Sequence, residues 1–178
     1  MTIHPNSITH LGVSYQLTHL KQKIIPFTWI CKDKEKRQFS VRVRFSDHCY
    51  SEALAEAPPD GAYCTVGPGG RRMLNLDRHA MSQFLPGLMV GILMKPGTAL
   101  AQTAHKNWST YFVSLPTPMK PGEKYYVFLS LRPNVSPTGV SSGWLDMFVE
   151  SAYPRSDAVK TFARKPFGRI VEEMFLAK

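Results

Sequence analysis

Apolar and polar residues alternate most regularly where Phe39, Val41, Val43 and Phe45 interleave with Ser40, Arg42, Arg44 and Ser46. A period of two over this length predicts a half-buried strand, here expected from Phe39 to Tyr50. Ile24 to Cys31 reads as its hairpin partner across the charged turn Lys32 to Arg37, and Val13 to Leu20 as a shorter strand before both. Four more strands are expected over Leu100–Ala104, Thr110–Leu115, Tyr125–Leu131 and Trp144–Ala152, with proline- and glycine-bearing turns at 116–122 and 133–139. The last of these should stop at Pro154, which cannot donate to a ladder. Between the two sets of strands the period changes. Met81, Phe84, Leu85, Leu88, Met89 and Ile92 recur at helical spacing. They predict a long helix from Arg78 to about Met94, capped by Asp77, kinked or split at Pro86-Gly87 and stopped by Lys95-Pro96-Gly97. Lys165 to Lys178 reads as a final helix with Ile170, Met174 and Phe175 on its apolar face, a strand over 169–175 being the alternative. The expected fold class is α+β: a mainly antiparallel twisted sheet packed by one long central helix and a short C-terminal helix. One domain spanning 1–178 is expected. Its Pro/Gly-rich stretch 51–70 reads as a long loop, of a length that often serves as a lid.

Composition narrows the classes. The chain of 178 residues is 43% hydrophobic, ordinary for a protein with a packed core. It has no apolar run of about 18 residues, the minimum for a membrane helix. Its start, Met1-Thr2-Ile3-His4-Pro5, lacks the charged and apolar regions of a secretion signal. A cytoplasmic location without membrane contact is the expectation. Cys31, Cys49 and Cys64 are too few and odd in number for a disulfide framework. His48 and Cys49, with Cys64 further on, suggest zinc only superficially, because adjacent strand residues point to opposite faces. No metal and no cofactor are expected. Gly67-Pro68-Gly69-Gly70-Arg71-Arg72 lacks the Gly-Lys-Ser/Thr ending of a phosphate loop. No Gly-x-Ser-x-Gly elbow supports a serine hydrolase, and the scattered carboxylates do not suit a divalent-metal nuclease.

The balance of 22 Lys and Arg against 13 Asp and Glu, net charge +9, biases partners toward polyanions. Polar residues capable of RNA cleavage gather at three expected strand ends: Arg44, Ser46, Asp47, His48 and Tyr50; His105, Lys106, Asn107, Ser109 and Tyr111; and Glu150, Ser151, Tyr153 and Arg155. Cleavage without a metal needs a base for the 2′-hydroxyl, cations for the charged phosphorane and an acid for the leaving oxygen. His48 titrates near working pH and is the candidate acid or base; Arg44 and Lys106 are the candidate phosphate ligands. The bland alternatives are a structural histidine at a strand end, a polar hairpin edge at His105-Lys106, and a cross-strand ion pair for Glu150. Arg42, Tyr50, Arg71, Arg72 and Arg155 are the candidate nucleic-acid contacts.

Val149-Glu150-Ser151-Ala152-Tyr153-Pro154 resembles the last-strand motif, Ser/Thr-Ala-Tyr-Pro, of toxin ribonucleases of the barnase, colicin and Rel-type superfamily. In that superfamily the last strand supplies a hydroxyl and an aromatic or histidine to a metal-independent site. The resemblance therefore implies site roles for Ser151 and Tyr153, a helix-plus-antiparallel-sheet fold and a partner antitoxin protein. It covers about six residues, and the helix here sits mid-chain rather than before the sheet. Phe39 to Tyr50 also resembles small bacterial and phage proteins of unassigned role. The expected function is a metal-independent endoribonuclease, toxin-like, acting by 2′-hydroxyl attack. The alternatives are a non-enzymatic basic nucleic-acid-binding or phage-defence accessory protein, and a protein-interaction module whose charge serves solubility.

Overall fold

The structure, a computed structural model, describes residues 5–54, 56–67, 70–103, 110–116, 122–135 and 141–176. It begins with a hairpin, β1 (Ser7–His10) and β2 (Val13–Gln16), whose turn residues Leu11 and Gly12 both have positive φ, 51° and 80°. Primed hairpin turns of this kind match the twist of the strands they join. β1 has no counterpart in the sequence reading, and the strand expected over 13–20 gives way to a 3-10 turn at Thr18–Leu20. β3 (Lys23–Ile30) and β4 (Lys36–Phe45) form the expected hairpin. β4 ends five residues before Tyr50, because the Ser46 hydroxyl accepts the His48 N–H and opens a 3-10 turn at Asp47–Cys49.

The stretch 51–70, expected as a loop, carries short strands at its two ends. β5 (Ser51–Ala53) and β6 (Cys64–Gly67) both pair with β7 (Gly70–Leu74) in a three-stranded antiparallel layer. Between β5 and β6 the described residues of 54–63 form no strand, in keeping with the expected loop. The expected helix is split, though ahead of Pro86 rather than at it, into two short ones, α1 (Leu76–Ser82) and α2 (Leu85–Met94). α1 is capped by Asn75, whose side chain accepts the Arg78 N–H, rather than by Asp77. Pro86 lies in the first turn of α2, where its missing N–H costs nothing, so it starts a helix instead of kinking one.

β8 (Ala99–Thr103), β9 (Thr110–Pro116), β10 (Lys124–Val135), β11 (Ser141–Arg155) and β12 (Thr161–Pro166) complete a seven-stranded sheet ordered β12-β8-β9-β10-β11-β4-β3. The sheet is mixed, not mainly antiparallel, because β11 lies parallel to β4 (Val41 opposite Leu145, Val43 opposite Met147). Alternation along a strand is the same whichever way its neighbour runs, so the pattern does not report direction. The chain closes with α3 (Phe167–Leu176), the helical one of the two expected alternatives.

The inner face of the sheet carries Phe39, Val41, Val43, Phe45, Val127, Leu129, Leu145, Met147 and Val149 into one core with Leu85, Met89 and Leu93 of α2 and Phe167, Ile170 and Val171 of α3. A smaller cluster, Ala101, Phe112 and Tyr126, lies on the outer face, covered by Val159 of the link from β11 to β12. Among the described residues no helix is long and apolar enough to cross a membrane.

Candidate functional site

Strand β11 decides which side chains share the outer face. From Trp144 to Val149 it alternates, with Leu145, Met147 and Val149 buried and Asp146 and Phe148 beside Arg42 and Arg44 of β4. There the register against β10 slips: Leu129 faces Val149, but Phe128 faces Ser151, so Glu150 is an inserted residue. A bulge reverses the parity of everything after it. Ala152 enters the core and Tyr153 turns outward to stack on Phe128, ring centroids 5.6 Å apart. The bulge thus puts Tyr153 on the same face as Arg44 and Phe148.

Beyond Val149 the strand has also lost β4, whose last bond is Ser46 N–H to the Val149 carbonyl (2.9 Å). It continues as an edge paired with β10 alone. An edge tolerates proline, so β11 runs through Pro154, opposite Tyr125, to Arg155 instead of stopping there.

The 3-10 turn, β5, β7 and α1 fill the space that β4 leaves. Arg72 of β7 donates from Nη2 to the Ser51 carbonyl (2.8 Å) and from Nε to the Ser51 hydroxyl (3.0 Å). Arg78, one turn into α1, donates from Nη1 to the same Ser51 carbonyl (2.8 Å) and to the His48 carbonyl (3.4 Å). Its guanidinium also lies 4.9 Å over the Tyr153 ring. Two guanidiniums thus converge on one carbonyl oxygen. The carboxylate beside them, Asp47, is held by the hydroxyls of Ser46 and Thr65, each at 3.1 Å.

His48 stands in this field. Its side chain is 42% exposed, and its Nε2 lies 3.8 Å from Asp47 Oδ1, beyond hydrogen-bonding reach. Partial burial, and after it the neighbouring Arg72 and Arg78, press its pKa below the ordinary value; Asp47 and Glu150 oppose them without prevailing. The imidazole is neutral at pH 7 and able to accept a proton. Burial likewise lowers the pKa of Arg72.

Of the residues expected at the site, His48, Ser151 and Tyr153 lie together at the bulged end of β11 with Arg72. Arg44 lies further along the same face, its guanidinium 5.8 Å over Phe148 and 3.9 Å from Asp146. Arg42 is committed to Asp146 through bonds of 2.5 and 2.7 Å, and the hydrogen bond to that carboxylate raises its pKa. Arg155 lies 5.9 Å over Tyr126 at the far end of the aromatic row. Arg71 is exposed on β7, opposite Val66. Tyr50 is not on this surface: it is 1% exposed in the core, its hydroxyl against Tyr63, and burial drives its pKa up. Lys106 and His105 fall outside the described residues.

Sequence reasoning named Arg78 as the start of the expected helix and gave it no role at the site. The signal that would have found it is the Asn75-x-x-Arg78 spacing, which fixes Arg78 in the first turn of a capped helix. Among the described residues no group of three or more His, Cys, Asp or Glu stands close enough to hold a metal.

No curated protein and no solved structure matches this chain. A family model does, across residues 7–175, from the first hairpin strand through the body of α3. That span takes in every element that builds the bulged strand end and its arginines, and the chain belongs to the YjaZ family.

Proposed function

We propose that this protein is a metal-independent endoribonuclease whose working surface is the bulged end of β11. The observation that carries the reading is the convergence of Arg72 and Arg78 on the Ser51 carbonyl beside a neutral, half-exposed His48. Two cations held together at a cost in mutual repulsion form a standing site for a phosphodiester. His48 removes the 2′-hydroxyl proton, and the 2′-oxygen attacks phosphorus. Arg72 and Arg78 balance the charge that builds on the phosphoryl oxygens. The bond to the 5′-oxygen breaks, that oxygen takes a proton from water, and a 2′,3′-cyclic phosphate remains. Tyr153 and Ser151 position the chain, and Arg44 adds positive charge further along the same face. A toxin of this kind works in the cytoplasm and is held in check by an antitoxin protein.

The test is digestion of labelled single-stranded RNA in EDTA. Cleavage persists in the chelator, yields cyclic phosphate ends and spares DNA. It slows by roughly 10²–10⁴ in His48→Ala, the usual worth of one proton-transfer group. The acid limb of the rate profile lies below 6.5, because the site depresses the pKa of His48. RNA left intact at every protein concentration ends the reading.

A second reading, binding of single-stranded nucleic acid without cleavage, is favoured by the file of rings Tyr126, Phe128 and Tyr153 with Arg155 and Arg78 over its ends. It predicts salt-sensitive retention of RNA that His48→Ala leaves unchanged.

A further inference from the structure

The outer face holds a second concavity, which borders the surroundings of His48 at Glu150 and extends toward the middle of the sheet. It is an open trough of about 550 Å³, lined among others by Arg44, Ser130, Arg132, Asn134, Phe148 and Glu150. Volumes of roughly 300–1,000 Å³ are those of small-ligand sites.

Strand register gives the trough its order. Phe148 lies between Arg44 on β4 and Ser130 on β10, forming the floor. One step toward the start of β11, Asp146 lies between Arg42 and Arg132. Because Arg42 takes both oxygens of Asp146, the charge left over at that end is the exposed Arg132. One step the other way stands the bulge residue Glu150. From Asp146 to Glu150 the strand rises about 13 Å. The trough thus presents a cation at one end, a flat aromatic–guanidinium pair in the middle and a carboxylate at the other end. Arg44 Nε is buried without a hydrogen-bond partner among the described residues, so its donor capacity is unspent.

Few ligand classes match this sequence of groups. An inorganic anion uses Arg132 alone. A purely apolar ligand leaves both charges unmatched. We propose that the trough binds one nucleotide of a single-stranded nucleic acid: its phosphate on Arg132, its base stacked against the Arg44–Phe148 pair, and the N–H edge of the base toward Glu150. Aromatic rings and arginine planes are the usual partners of unstacked bases. The inference rests on the reading of the protein as acting on RNA, and it adds a nucleotide site next to the scissile phosphate.

Trp144 reports on the site. It faces Asn134 on β10 and is 37% exposed. Titrating the full chain with AMP, GMP, CMP, UMP and inorganic phosphate, and following tryptophan fluorescence, tests the assignment; Trp144→Phe identifies the responding residue. The expected result is saturable binding of at least one mononucleotide, about tenfold tighter than phosphate. Arg132→Ala and Phe148→Ala each weaken it roughly fivefold or more, the lower end of what one stacked base contributes. A thermal melt of Phe148→Ala shows that the fold survives, and Arg132 is exposed enough to be lost without damage. Absence of saturation at ~1 mM, the weak limit of specific recognition, overturns the proposal, as does equal affinity for phosphate and nucleotides. Measuring nucleotide binding and RNA cleavage side by side on the wild-type protein separates this from the cleavage reading. Nucleotide binding without RNA cleavage keeps the trough and removes the ribonuclease; cleavage without nucleotide binding does the reverse.

Discussion

Gly168 has nothing to do with turns. It sits in the first turn of α3, where a β-carbon would fall 2.2 Å from Cε3 of Trp29. Only a bare backbone lets the helix come down on that indole. Gly168→Ala is therefore expected to destabilise the protein by about 1–3 kcal/mol, the range for overpacking a tight contact, read as a lower urea midpoint at unchanged slope. A midpoint equal to the wild type removes the argument. The same scale explains what residue identities did and did not convey. His48 was legible as a titrating side chain, but its neutral state comes from burial and from Arg72 and Arg78, which arrive on separate elements. Tyr50 was legible as an aromatic beside a basic strand, yet it is core, because the chain turns at Ser46 and carries the ring inward.

Elements show where local signals were outvoted. The alternation of β4 and the helical period around Met81–Ile92 were readable because each records burial on one side. Their ends were not, because Ser46 and Asn75 act through single hydrogen bonds that many serines and asparagines never make. The stretch 51–70 is rich in Ala, Pro and Gly and looks unstructured by composition. Its two ends are nevertheless strands because β7 offers pairing on both sides. α3 is anchored in a way its sequence hides: Glu172, 6% exposed, accepts the Lys32 N–H at 2.7 Å, the Trp29 indole N–H at 3.1 Å and an Arg169 N–H at 2.8 Å. The Lys32 hydrogen bond first, then those of its other partners, holds the carboxyl below its ordinary value of 4.5. A depressed carboxyl stabilises the fold above its unfolded value and ceases to do so as pH falls through the folded one. Glu172→Gln is accordingly expected to melt below the wild type at neutral pH, with the gap closing as the pH drops under 4.5. A gap independent of pH contradicts this anchoring.

At the scale of the whole molecule the net charge is +9, and what matters is how much of it stands along the bulged strand. If Arg155 meets phosphate, Arg155→Ala flattens the log–log salt dependence of single-stranded RNA affinity by about 0.7, one counterion's worth; filter binding across a salt series measures it, and an unchanged slope takes Arg155 off the contact surface. The sequence by itself determined the α+β class, the hairpin of β3 and β4, the helical nature of the middle of the chain, and the presence of a polar strand end at Glu150–Arg155. All of these are periodicities, which record how one stretch divides its residues between core and water. Tertiary structure alone decided that β11 lies parallel to β4, that a bulge at Glu150 turns Tyr153 outward, and that Arg72 and Arg78 meet on one carbonyl. The physical reason is common to the three. Each depends on which distant segment becomes the neighbour, and a local pattern of burial carries no information about that choice.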